Sequence, residues 1–531
     1  MRLLLLIATF SVFAFPTSAN AQVSNGFLRQ IGLETAWKGQ MQLPSYGRGV
    51  VSTHLWVNSN NSKQYAVVEL PQRTLRIASD TPGNDGKPIG LEEAKKRAQD
   101  YAARLLGKAD GINVQEKIIP EIKLVLVSGD GLVQTMDAET GKVLWSTPCG
   151  NASAPAHPAA VSVSGVSVIQ GLKLFVLDWE TGKQKHTENL KNPSSNALVA
   201  CGKMAFTADI RGKIDTHGLE VERPRPFGYL MTGRVVGEPA STENGLYAAM
   251  ATDEGYVYVF AGGNDPTEYI RYESSAGLSG SLASGNNAFY SANKNGIVTK
   301  ISADFRKGRL LWEYHFGQAT TAPALVTGDF VYVASEYGEL VAIDDQVGSA
   351  LWRSPRANLL QPIGKIGNQV LGISNSSELV SIDSETGIVR GRSPAGSLAK
   401  LVVNQKSDRI YLITTSGQVQ CIRPTGAVLP TMTQATALKP GAADADTSTQ
   451  EGGSIFNAGD ANSGSPFDTP AMDNGNPFGG DAGGGDPFGG DAGGGDPFGG
   501  DAGGGDPFGG DGMGDPFGGG SDPFGGSGDP F

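Results

Sequence analysis

A chain in which one short unit returns eight times at a nearly constant interval has few folds open to it. The unit is plain in SGDGLVQTMDAETGKVLW (128–145) and SEYGELVAIDDQVGSALW (335–352). Its first turn falls at Gly131, Gly171, Gly212, Gly255, Gly296, Gly338, Ser377 and Gly417, with gaps of 40, 41, 43, 41, 42, 39 and 40 residues. Each unit reads as short apolar or β-branched strands separated by tight turns. A sheet that small, apolar on both faces, is not stable alone and buries both faces only by stacking on its neighbours. A period near forty made of short strands predicts a β-propeller with one blade per repeat. The expected fold is therefore all-β: an eight-bladed β-propeller of four-stranded blades over residues 121–430. A β-helix would need much shorter rungs.

The chemistry inside the unit agrees. The first turn needs positive φ to reverse the chain tightly, which glycine supplies. A second turn, Asp-x-x-Thr-Gly, recurs at Asp137–Gly141, Asp178–Gly182 and Asp383–Gly387; its Asp can bond its own backbone and its Gly takes the awkward conformation. Trp145, Trp312 and Trp352 in the last strand supply bulk for packing between adjacent blades. The third and fourth copies lack both the Asp-x-x-Thr-Gly turn and the Trp, carrying THGLEVERPRPFGYLM (216–231) and GGNDPTEYIRYES (262–274) instead. Irregular connections on a rigid ring are where binding edges occur; drift in repeats that merely pack is the alternative.

Outside the repeats the chain changes character. Met1-Arg2, the apolar run Leu3–Phe15 and Ala19-Asn20-Ala21 make residues 1–21 a secretory signal peptide, cut between Ala21 and Gln22. No cysteine follows the run, so a lipid anchor is not expected, and no later stretch is long and apolar enough to span a membrane. The expected location is outside the cytoplasm: the periplasm, the outer envelope, or secreted. Residues 22–120 read as an N-terminal extension with a hairpin over 52–70, which could also be a degenerate blade, and an amphipathic helix over 91–106. In that helix Leu91, Ala94, Ala98, Ala102 and Leu105 share a face, and Glu92–Lys96 and Glu93–Arg97 are i,i+4 pairs. Residues 431–531 form a low-complexity tail expected to be disordered. From Gly441 onward it holds 16 acidic residues and no Lys or Arg, leaving 42 basic and 38 acidic residues elsewhere, a net of +4 against −12 for the whole chain. Asp-Pro-Phe recurs there, placing Phe488, Phe498 and Phe508 at a spacing of ten. These rings could be weak multivalent binding points or ride on a solvating spacer. The near-neutral body lacks the basic stripe that nucleic-acid binding requires. Cys149, Cys201 and Cys421 lie far from one another and from any His at ligand spacing, so each is expected to be a small buried hydrophobe rather than a metal ligand.

The units GLVQTMDAETGKVLW and GELVAIDDQVGSALW resemble the pyrroloquinoline-quinone-type repeat, across residues 120–430. Two functions share that repeat: quinoprotein dehydrogenases, and non-catalytic exported propellers typified by BamB, the propeller subunit of the outer-membrane β-barrel assembly machinery. The dehydrogenase resemblance implies the quinone and calcium as cofactors, a vicinal Cys-Cys pair and a Glu, Asn and Asp around the calcium. No adjacent cysteines, no Cys-x-x-Cys-His and no P-loop or Gly-x-Ser-x-Gly elbow are present. The BamB-like resemblance implies a monomeric, non-enzymatic scaffold that needs no cofactor, metal or catalytic residue and binds protein partners at the cell envelope through rim loops or strand edges.

Overall fold

The computed structural model describes residues 22–432, apart from 44–47, 71–73, 108–110, 221–226, 264, 286 and 305–309 and the side chains of 59, 60 and 196. The signal segment 1–21 and the tail from 433 lie outside the described residues. The described chain forms eight antiparallel sheets, six of them four-stranded meanders of consecutive strands, an all-β, propeller-like architecture. The meanders, sheets 2 to 7, start at Ala160–Ser162, Ser194–Cys201, Val235–Ser241, Ala283–Ser284, Leu325–Val326 and Leu359–Ile366.

Sheets 1 and 8 depart from the plain meander, and both draw on the N-terminal segment. After helix α1 (Asn25–Gln30), strand β1 (Leu33–Gln40) pairs antiparallel with the last strand, Gln418–Pro424, with Leu33 opposite Pro424 and Gln40 opposite Gln418. With Ile410–Ile413 these make sheet 8. Strand β2 (Val50–Glu69) pairs along its length with β4 (Val114–Ser128), and β4 continues through β5 (Leu132–Asp137) to β6 (Val143–Pro148). Residues 22–120 are thus not a separate extension: they supply strands to sheets 1 and 8. Nor is 52–70 a hairpin. The Asn-rich run that reads as a turn is an irregularity between Asn58 and Ser62 within one continuous strand. It sits opposite Pro120, which has no N–H to give to a ladder. The far halves of β2 and β4, with β3 (Thr74–Ala78), carry helix α2 (Gly90–Leu106). Ala94, Ala98 and Ala102 are fully buried against Ala66 and Val68, whereas Leu105 is 47% exposed. Arg97 pairs with Glu93 as the spacing predicts, but Glu92 meets Lys95 rather than Lys96.

The core lies between sheets rather than within one. Val125, Val127 and Trp145 of sheet 1 pack on Val166, Val168 and Leu177 of sheet 2, and Tyr290, Val298 and Trp312 of sheet 5 pack on Val331, Val333 and Ile343 of sheet 6. One joint recurs at four junctions. The Asp137 carboxylate accepts from the Glu139 and Thr140 N–H groups and the Thr140 hydroxyl, and Gly141 follows at φ +72°. That flat glycine receives an indole from the neighbouring sheet: a Cβ on Gly141 would stand 2.4 Å from the Trp37 ring. Gly182, Gly348 and Gly387 receive Trp145, Trp312 and Trp352 in the same way. Each indole N–H donates to the carbonyl of the residue after the turn Asp: Trp37 to Ala138 (2.9 Å), Trp145 to Trp179 (2.8 Å), Trp312 to Asp345 (2.9 Å) and Trp352 to Ser384 (3.0 Å). The Trp37 joint links sheet 8 to sheet 1.

Candidate functional site

The inner strands of all eight sheets, or the segments leading into them, surround one cavity of about 480 Å³. Most of its wall is small or aliphatic, and its titratable side chains are His54, Glu238, Lys400 and Lys406. Glu238 is set by a tight backbone approach: Gly237 has φ +65°, and a Cβ there would meet the Gly280 backbone at 2.4 Å. Its carboxylate forms an ion pair with Lys400. Glu238 belongs to sheet 4 and Lys400 precedes the strands of sheet 8, so the pair joins sheets four apart. Glu243, at the first turn of sheet 4, also acts electrostatically on Lys406, partly offsetting the depression that burial imposes on that ammonium. Burial lowers the Lys400 pKa too. His54 is half-buried, with Nε2 2.9 Å from the Ser52 hydroxyl; desolvation first, and Lys400 second, lower its pKa to about 4. At neutral pH it is an uncharged imidazole.

This lining does not fit the quinone and its calcium. Glu238 is the one carboxylate among the described lining residues, and a lysine holds it. The three cysteines are free and buried in separate cores. Burial pushes the Cys149 and Cys201 thiols up to about 12 and Cys421 further, so none is poised as a nucleophile. Among the described residues no three His, Cys, Asp or Glu stand together as metal ligands, and no helix is long and apolar enough to cross a membrane.

A second cluster occupies the junction of sheets 1 and 8. The Arg409 side chain is 0% exposed and lies against Glu139 and Asp408. Beside it, Lys63 pairs with Asp137 at 2.6 Å and Arg76 donates to the Val428 carbonyl at 2.6 Å. Burial pushes the Glu139 carboxyl up against the pull of Arg409 and Arg76. Burial also acts to raise Asp137, but the bonds from Lys63 and Thr140 outweigh it and hold that carboxyl below its usual value. The cluster ties β2, β3, the last sheet and the segment after it to one another, and reads as a structural latch.

The turn positions named from the sequence, Gly131, Gly171, Gly212, Gly255, Gly296, Gly338, Ser377 and Gly417, all have positive φ; Gly171 to Ser377 close the second hairpin of the six meanders, Gly131 closes the β4–β5 hairpin, and Gly417 the hairpin between Ile410–Ile413 and Gln418–Pro424. Because strands alternate in direction, these turns share one rim. Trp145, Trp312 and Trp352 sit at the inter-sheet joints described above. Phe488, Phe498 and Phe508, and the cleavage residue Ala21, lie outside the described residues; Gln22 is half-buried at their border. Sequence reasoning missed Trp37, Arg409 and the Lys400–Glu238 pair, none of which stands in the repeat motif. Large apolar side chains stand exposed on the turns: Tyr337 (80%), Val347 (71%) and Ile388 (65%), with Leu230 (69%) on the outer strand of sheet 3.

The family model described as outer membrane protein assembly factor BamB matches residues 106–212 and 232–447, more than half of the chain. The chain belongs to this family. Among solved structures, BamB from Moraxella catarrhalis is 17% identical with a TM-score of 0.46, covering 56% of this chain and 91% of that one. A computationally designed protein, Ika8, is 15% identical with a TM-score of 0.46, covering 56% and 92%. A chain of the mitotic checkpoint complex is 12% identical with a TM-score of 0.39, covering 57% and 83%. No curated protein matches the chain. The BamB-like match breaks over residues 213–231, inside the irregular third repeat.

Proposed function

We propose that this BamB-like protein is an exported, non-enzymatic scaffold, a closed eight-bladed ring that binds other proteins of the cell envelope through its rim turns and strand edges. The observation that carries this reading is where apolar surface lies. Tyr337, Val347, Ile388 and Leu230 are presented on turns and an outer strand, while the central cavity is spanned by the Lys400–Glu238 ion pair. Such side chains offer apolar area that a partner surface would remove from water. The closed ring is supported by the cavity that all eight sheets share and by the Trp37 joint; export is supported by the character of residues 1–21. A photo-crosslinking amino acid at position 337 or 230 in cells, compared with one at the buried core position Val333, tests the reading. Discrete adducts with envelope proteins at 337 or 230 alone are expected. Uniformly absent adducts, or accumulation of the protein in the cytoplasm, would refute it. Quinone-dependent alcohol oxidation by the purified protein would refute the non-enzymatic part.

A further inference from the structure

One strand of sheet 1 has an open edge. β4 pairs with β2 on one side along its length, and with β5 on the other side from Lys123 to Val127 alone. The Ser79 N–H donates to the Gln64 carbonyl at 2.9 Å, so Gln64 turns its backbone toward β3. Its partner across the ladder, Ile118, therefore turns its N–H and C=O away from β2. Glu116 and Val114 follow in the same phase. Among the described residues none of these three makes a backbone bond on that side. The ladder behind them is regular from Ser62 to Val68, and Gln115, Glu116, Lys117 and Ile118 are exposed. Both faces of this part of the sheet are already covered: α2 packs on one, and Tyr65, Val67 and Ile119 are buried on the other.

The other outward edges of the described chain are blunted. The outer strands of sheets 1, 2, 4, 5, 6 and 7 each carry a register shift against their neighbour, as does β1 in sheet 8. The outer strand of sheet 3 is three residues long. Bulges and short strands take an edge out of the line that a further strand needs. β3 is half-buried throughout, and its Ala78 carbonyl is taken by the Thr81 N–H. The open edge of β4 is not suited to a second copy of this chain. A twofold axis through Glu116 or Lys117 sets that residue against its own copy, like charge on like. Moving the axis one residue either way leaves a ladder of three residues a side between Val114 and Ile119. Lys117 forms no ion pair among the described residues, so it favours an acidic residue directly across from it.

We propose that β4 takes a further antiparallel strand along Val114–Ile119: an extended segment of another protein, held through its backbone, with an acidic residue opposite Lys117. The site deepens the scaffold reading by naming one edge and the conformation of what it holds. It rests on that reading for where the partner is found, whereas its test uses the purified protein and a synthetic strand.

The full-length protein is titrated by calorimetry with the peptide acetyl-Thr-Val-Glu-Thr-Thr-Val-amide, which sets its Glu opposite Lys117. Two N-methylated isomers serve as controls. One blocks the second, fourth and sixth amides, which face β4 in the added strand; the other blocks the first, third and fifth, which face solvent. Saturable binding by the parent and the solvent-blocked isomer, none by the β4-blocked isomer, and slowed hydrogen exchange at the Glu116 and Ile118 amides are expected. Ile118→Pro removes a donor that β2 does not use and should weaken binding about tenfold. Lys117→Glu, a change at an exposed side chain, should weaken it about fivefold and be rescued by Lys in place of the peptide's Glu. No saturable binding, equal binding of the two isomers, protection at a different strand, or full affinity in both variants would overturn the assignment. Missing adducts at positions 337 and 230 with this binding intact would sink contact through the rim turns and leave the edge standing.

Discussion

Trp37 gives the sharpest test of how sheet 8 is held against sheet 1. Within sheet 8 the N-terminal strand β1 meets the last strand only by pairing, and β1 then leads in the chain to β2 of sheet 1. The two sheets pack through the same indole-on-glycine joint used at three other junctions, with Trp37 lying on Gly141 and donating to the Ala138 carbonyl. Replacing a core Trp by Ala costs about 3–5 kcal/mol. Trp37 is partly exposed where Trp145 is buried, so Trp37→Ala should cost about 3 kcal/mol, the lower end of that range. An unfolding entropy of about 2.1 cal/mol/K per residue over roughly 400 residues converts this to a melting shift of about 3–4 °C. The partner glycine supplies an internal control. In the parent, Gly141→Ala adds both left-handed strain, about 1–2 kcal/mol, and a collision of its Cβ with the indole at 2.4 Å. In the Trp37→Ala background only the strain remains. The cycle, measured by calorimetry or urea unfolding, should show the two substitutions coupled by about 1 kcal/mol or more. Additive costs, or a Trp37→Ala change below about 0.5 kcal/mol, would mean that other packing holds sheet 8 against sheet 1 and that the joint is incidental.

Other outcomes follow from the same chemistry. His54, held near pKa 4 against 6.5 for a free imidazole, binds a proton less readily folded than unfolded. Stability is therefore full above about pH 6.5 and falls as the pH drops toward 4. His54→Gln should remove on the order of 2 kcal/mol of that loss, seen as a flatter melting temperature between pH 7.5 and 4; an unchanged slope would refute the assignment. The ion pair between sheets 4 and 8 predicts that Glu238→Gln alone lowers the Lys400 pKa further, whereas Glu238→Gln with Lys400→Met is tolerated within about 1 kcal/mol; lysine NMR and thermal unfolding report the two. Buried thiols raised to about 12 at Cys149 and Cys201 should resist iodoacetamide at pH 8 in the native protein and react fully in urea; rapid native alkylation would contradict the cores described. Arg409→Met should cost about 3–5 kcal/mol, because Glu139 and Asp408 lose a buried partner, and Glu139→Gln in that background should recover part of it.

The repeat was legible because every element of it is local. A positive-φ residue at each first turn and an Asp bonding its own turn three residues on are satisfied within a dozen residues of chain, so their signals are periodic in the sequence. The helix over Gly90–Leu106 was legible for the same reason. Misreading began where a local signal met a distant constraint. The Asn-rich run 58–61 has the composition of a turn, yet pairing with β4 keeps it in a single strand and absorbs the excess at a bulge opposite Pro120.

The amino-acid sequence by itself determined the unit, its count and its need for neighbours, since a small two-faced sheet must stack to hide its apolar surface. Only the tertiary structure decided which distant residues meet. Leu33 pairs with Pro424, Trp37 rests on Gly141, Lys400 reaches Glu238, and Glu188 faces His217. Each of these contacts is set by how the sheets stack on one another, a property of many elements together that no short-range pattern encodes.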